Sequence, residues 1–152
     1  MLEFLTAALL IQVPGAPSCT TADRRVEEAI VATQRELQGQ ELCQYRLYET
    51  LSDVDGDGVT DFFVVFTIEG AHGSATNSIQ FLGMFASGTG WRPVVTEVGR
   101  RGTRVVQAIH VAAGAVELGT LEYASSDPMC CPSRHGKLRL AVKDGKISQV
   151  GG

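Results

Sequence analysis

The sequence predicts an α+β fold: one N-terminal amphipathic helix packed on a curved, mostly antiparallel β-sheet of about seven strands. Three observations predict it. Apolar residues recur at helical spacing between residues 23 and 38, and past Gly39 that period gives way to strand-like runs. Those runs are short and separated by Gly-containing turns, the pattern of hairpin-connected strands. The stretch 62–68 is apolar on both faces, as suits a central strand covered on both sides.

The helix places Val26, Ala29, Ile30, Thr33 and Leu37 on one narrow stripe and leaves Arg24, Arg25, Glu27, Glu28, Arg35 and Glu36 for water. Thr20, Thr21 or Asp23 can cap its start and Gly39 stops it. A strand over 42–51 comes next, then 62–68, a Gly-rich loop around His72, and 79–86. The turn Ser87-Gly88-Thr89-Gly90 leads to a strand over 91–98 and a turn at 99–102. Trp91 is expected to plug the core. Strands 105–111 and 116–123 flank the hairpin signal Ala113-Gly114, and the apolar phase of the second changes at Gly119, which predicts a bulge there. Leu138, Leu140 and Val142 alternate, and Asp144-Gly145 turns the chain into a last strand over 146–150.

The chain has 152 residues, 44% hydrophobic and 20% charged, enough for one compact domain with a core. A net charge of -4 and the lack of a basic, aromatic-interleaved stripe speak against nucleic acid as a partner. The apolar stretch 4–13, followed by Pro14-Gly15-Ala16-Pro17-Ser18, has the length of a signal-peptide core, although Met1-Leu2-Glu3 brings no positive charge. Residues 1–18 are therefore expected to be a signal peptide or disordered leader and 19–152 a single domain. That places the protein in the periplasm or outside the cell. Ser18-Cys19 raises the alternative of a lipoprotein, in which a lipidated Cys19 would tether the chain to a membrane.

The run Asp53-Val54-Asp55-Gly56-Asp57-Gly58-Val59-Thr60-Asp61 puts four carboxylates into nine residues. They repel one another unless a cation sits among them, and an oxygen-only donor set suits calcium. Asp53, Asp55 and Asp57 would supply carboxylate oxygens, Val59 its carbonyl, and Asp61 a direct or water-mediated contact. Gly58 falls where the loop must turn sharply. The twelfth place of the loop is Val64 rather than the Glu of an EF-hand, so the expected affinity is modest, on the order of 10⁻⁴ to 10⁻³ M. The expected role is structural. The spacing resembles the calcium loops of FG-GAP repeats, in which such a loop leads into a strand; with one loop in the chain, the resemblance extends to the loop and not to a propeller.

Four cysteines, Cys19, Cys43, Cys130 and Cys131, allow three pairings. The helix carries the chain about 24 Å between the first two. A bridge from Cys43 to Cys130 or Cys131 is accordingly favoured, with Cys19 taking the other; a vicinal bridge is the alternative. Adjacent cysteines lack the spacer of a thioredoxin-type pair, and no Cys/His set gives a zinc site. Together, the Asp-rich loop and the later Asp127-Pro128-Met129-Cys130-Cys131-Pro132-Ser133 resemble a group of small bacterial exported proteins and lipoproteins of the LppP/LprE type. The resemblance spans roughly residues 53–150 and implies export and a similar fold more than an activity.

Arg100, Arg101 and Arg104 cluster on one turn, where a solvated hairpin tip is the commoner reading and a partner-binding patch for an acidic surface the alternative. His72, His110 and His135 are scattered and suggest ordinary surface or strand histidines. Three functions follow as expectations. The first is an exported calcium-binding protein-interaction domain with a protein partner in the cell envelope, such as an inhibitor or immunity protein of a cell-envelope hydrolase. The second is a calcium-dependent hydrolase working near residues 53–61 with His72 or His135; a purely structural envelope protein is a third.

Overall fold

The structure, a computed structural model, describes residues 23–51, 53–54, 56–86 and 92–150. The expected leader, Cys19, Asp55 and Trp91 lie outside the described residues.

Helix α1 (Arg24–Leu37) starts where the Asp23 carboxylate accepts the Arg25 N–H at 2.9 Å, which satisfies one of the orphan amides of the first turn. It buries Val26, Ile30 and Thr33. Gln38, not Gly39, takes the left-handed conformation that ends it, with φ 56°. Gly39 is needed for a different reason. A β-carbon there would stand 2.6 Å from Ile68 Cγ2, so the chain passes directly over the sheet.

Nine strands follow among the described residues: β1 (Gln40–Glu41), β2 (Leu47–Leu51), β3 (Asp61–Glu69), β4 (Ser78–Ala86), β5 (Val94–Arg100), β6 (Arg104–Ala112), β7 (Ala115–Glu122), β8 (Arg134–Lys143) and β9 (Lys146–Gln149). All pairings are antiparallel. From β3 to β9 the strands lie side by side in chain order, and β1 and β2 share the other edge of β3. The α+β class is as expected, with more strands than about seven. Part of the excess is β1, which precedes the stretch expected as a strand over 42–51; a 3-10 turn at Cys43–Tyr45 shortens that stretch to β2.

The sheet folds back on itself because β5 and β6 pair only at Arg100↔Arg104. The strands before and after that point then face one another. Phe63, Val65, Leu82, Met84 and Val98 on one side meet Val106, Val116, Leu118, Leu138, Leu140 and Val142 on the other, in the larger core. The opposite face of β3 and β4, with Val64, Phe66, Ile68 and Phe85, packs under Val26 and Ile30 of α1. β3 is therefore apolar on both faces because it is covered on both.

The expected phase change in β7 does not occur: Val116, Leu118 and Thr120 are all buried, in one alternating series. The extra residue belongs to the neighbouring strand. Register shifts between Val106 and Ala108, leaving Gln107 unmatched and Ala108 opposite Gly119. Gly119 accommodates the bulge across from it, since a β-carbon there would lie 3.3 Å from Ala108 Cβ. The turns at Ala113-Gly114 and Asp144-Gly145 form as expected.

Candidate functional site

Two chemically distinctive turns that are distant in sequence meet at a cleft of about 440 Å³. One is the 101–103 turn between β5 and β6; the other is the 123–133 segment between β7 and β8. They touch directly: a β-carbon at Gly102 would stand 3.3 Å from Met129 Cε. The backbone joins them too, with the Tyr123 N–H donating to the Thr103 carbonyl at 3.1 Å. Arg100, Arg101 and Arg104 line one part of the cleft, and Met129 and Cys130 another. Tyr45 and Glu69 complete the wall from the 3-10 turn and from β3.

The three arginines are not equivalent. Arg100 is bound to Glu97 at 2.8 Å, and that hydrogen-bonded carboxylate raises its pKa further. Arg104 pairs with Glu122 at 3.5 Å. Arg101 is half-buried and has no ion-pair partner among the described residues. Its guanidinium is the uncompensated positive charge of the turn. Tyr45 and Met129 are exposed at 53% and 59%, so the cleft mouth is aromatic and sulfur-rich as well as basic.

The floor is built by a buried amide. Gln80 reaches from β4 to β6, where its Oε1 accepts the Val106 N–H at 2.6 Å and its Nε2 donates to the Val106 carbonyl at 3.2 Å. The side chain takes the place of a neighbouring strand where β5 has diverged. Gly99 lets it through: a β-carbon there would lie 2.7 Å from Gln80 Oε1. The only hint in the sequence is a polar residue in an apolar run; nothing in its periodicity names the partner.

The 123–133 segment is stapled by Asp127. Its carboxylate accepts the N–H groups of Ala124 at 2.7 Å and Ser133 at 2.9 Å, and the Ser133 hydroxyl at 2.8 Å. The Ala124 amide and then the Ser133 hydroxyl hold its pKa below the ordinary Asp range. The Tyr123 hydroxyl adds a bond to the Met129 carbonyl at 2.8 Å. Cys130 and Cys131 are bridged to each other. Cys43 is disulfide-bonded as well, to a partner outside the described residues. The favoured bridge from Cys43 to the cysteine pair is thus corrected. Each sulfur takes part in one such bond, so neither Cys130 nor Cys131 is left for Cys43.

The Asp-rich loop lies elsewhere, between β2 and β3. Gly56 and Gly58 adopt φ of 80° and 84°, the left-handed bend that glycine takes at no steric cost. Asp53 gathers the loop: its Oδ1 accepts from Gly56 and Asp57, and its Oδ2 from Gly58 at 2.8 Å. Three bonds leave it about one further lone-pair direction. Asp57 Oδ1 accepts the Val59 N–H at 2.8 Å. The fully buried Asp61 accepts the Val54 N–H at 2.7 Å. Among the described residues no group of three or more His, Cys, Asp or Glu side chains is gathered closely enough to hold a metal ion. Asp55, the second of the four carboxylates, is not among them.

His72 and His135 are exposed, and neither hydrogen-bonds to a carboxylate among the described residues. Neither lines the cleft. No helix among the described residues is long and apolar enough to cross a membrane. No family model, curated protein or solved structure matches this chain.

Proposed function

We infer that the chain is an exported protein-interaction domain whose cleft receives an acidic segment of an envelope partner. The observation that carries this reading is Arg101, a half-buried residue without an acidic partner among the described residues, at a cleft whose mouth exposes Tyr45 and Met129. Arg, Tyr and Met are side chains enriched where proteins dock, because each offers large contact area or directed charge. Glu69 also lines the cleft, so the best occupant presents a carboxylate to Arg101 and a hydrogen-bond donor to Glu69.

Export is supported by the bridged cysteines, which belong to an oxidising compartment, and by the resemblance to LppP/LprE-type exported proteins. Calcium in the 53–61 loop is part of the same proposal, with a structural task. The positive-φ glycines, the lone-pair direction left on Asp53 and the buried carboxylate of Asp61 support an oxygen-lined site there. An inhibitor or immunity protein of an envelope hydrolase is the biological role that this chemistry suits.

The test is anisotropy titration with labelled peptides on a Gly-Ser frame carrying either Asp/Glu or Lys at one position. Acidic peptides should bind and Lys peptides should not, and Arg101→Glu should weaken binding about tenfold or more, roughly 1.4 kcal/mol. Equal binding of both peptide types, or no effect of Arg101→Glu, overturns the reading.

A further inference from the structure

We propose that the Cys130–Cys131 bond is a two-electron redox switch, opened by a dithiol reductant, whose state sets the shape of the cleft wall. Its place in the chain argues against a stabilising task. A bridge stabilises chiefly by closing a loop of chain in the unfolded state, and one between adjacent residues closes none. Nor does the segment need it to stay in place. Asp127 already ties Ala124 to Ser133, and the Tyr123 hydroxyl holds the Met129 carbonyl. What the bond does constrain is local. It keeps two neighbouring sulfurs together, and one of them belongs to a residue that lines the cleft.

Access favours exchange. Both residues are exposed, in contrast to Cys43, which is half-buried and disulfide-bonded outside the 123–133 segment. Exposed bridges are the ones that thiols reach and reduce first. The step is a thiol–disulfide exchange. A thiolate of the dithiol attacks one sulfur, the Cys130–Cys131 bond breaks, and a mixed disulfide forms. The second thiol of the reductant resolves that intermediate. Two electrons and two protons pass to the cysteines, and the dithiol leaves as a disulfide; a disulfide oxidant reverses the step.

The consequence falls on the cleft. Once the bond is open the two side chains separate, and Met129, which sits against Gly102, loses the rigid neighbour that follows it. The 101–103 turn and its Arg101 then sit against a mobile wall. Partner affinity would change with it, and only that last link rests on the docking reading above.

The experiment needs no partner. Oxidised protein is incubated with graded dithiothreitol, alkylated with iodoacetamide and mapped by mass spectrometry. Cys130 and Cys131 should gain two alkyl groups together, at about tenfold less dithiol than Cys43 requires. The thermal midpoint of that partly reduced protein should stay within about 2 °C of the oxidised one. Hydrogen exchange should quicken in peptides covering 101–107 and 123–133 and not elsewhere, and the double variant Cys130→Ser/Cys131→Ser should reproduce that pattern. A bond that opens only when the whole chain unfolds overturns the proposal. So does reduction that leaves exchange at 101–107 unchanged, or a double variant that exchanges like oxidised protein. Failure here leaves the acidic-peptide test standing, and the reverse holds as well.

Discussion

Arg46 illustrates how one side chain can tie three segments. Its side chain, 5% exposed, meets that of Glu41, 4% exposed, and Glu27 of α1, and also the Tyr48 hydroxyl. Burial alone would lower its pKa, but the hydrogen bonds it donates to Glu41, Glu27 and Tyr48 raise it, so it stays charged. Removing the cation would leave a buried Glu41 carboxylate facing no charge. Arg46→Ala is therefore expected to cost about 3–5 kcal/mol in urea unfolding, while Arg46→Met combined with Glu41→Leu should recover most of that loss. Asp127 acts at the same scale but on the surface. Its folded-state pKa is depressed, so its contribution is complete above the ordinary Asp range and is lost as pH falls through the lowered value. The Ala124 and Ser133 amide shifts should titrate together below that range in NMR spectra, and Asp127→Ala should abolish the transition.

Elements are held by two kinds of contact. α1 is held by apolar area: Ile30 is 1% exposed over Val64, Phe66 and Phe85. Ile30→Ala should lower stability by about 2–5 kcal/mol, read from the denaturant midpoint at unchanged slope. The junction of β4 and β6 is held by an amide instead. Gln80→Leu keeps the volume but leaves the Val106 N–H and carbonyl without their partner in a buried place, an expected cost of about 1–3 kcal/mol. The same substitution should speed hydrogen exchange at Val106 and not at Phe63 or Val65, which distinguishes a local opening from general weakening. Gly99 belongs to this junction, because any β-carbon there meets the Gln80 oxygen.

At the scale of the molecule, the sheet turns its two halves face to face, and its connections carry the candidate chemistry to separate places. The Asp-rich loop precedes β3, while the arginine turn and the cysteine segment meet at the cleft. Calcium is therefore expected to act on stability and not at the cleft. Titration into metal-stripped protein should show binding in the 10⁻⁴ to 10⁻³ M range; at calcium about 100-fold above Kd the fold should gain about 2.7 kcal/mol, and Asp55→Ala should lose both effects. Equal heats for the two proteins would remove the ion from the proposal.

Local spacing was enough to specify α1, most of the strands and the tight turns, because helical and strand periods and turn chemistry act over a few residues. Alternation in 138–142 reads directly as β8, and Asp144-Gly145 as the turn after it. The sequence points to β7 for the bulge that β6 carries, since a phase change in one strand does not reveal which partner holds the extra residue. The arginines could be seen as a cluster, but their inequality could not, because it depends on Glu97 and Glu122 being close in space. The meeting of the arginine turn with the cysteine segment and the Gln80 bridge were decided by the tertiary structure. Each depends on how far β5 diverges from β6, and that divergence is set by packing between residues tens of positions apart, to which no short window of sequence is sensitive.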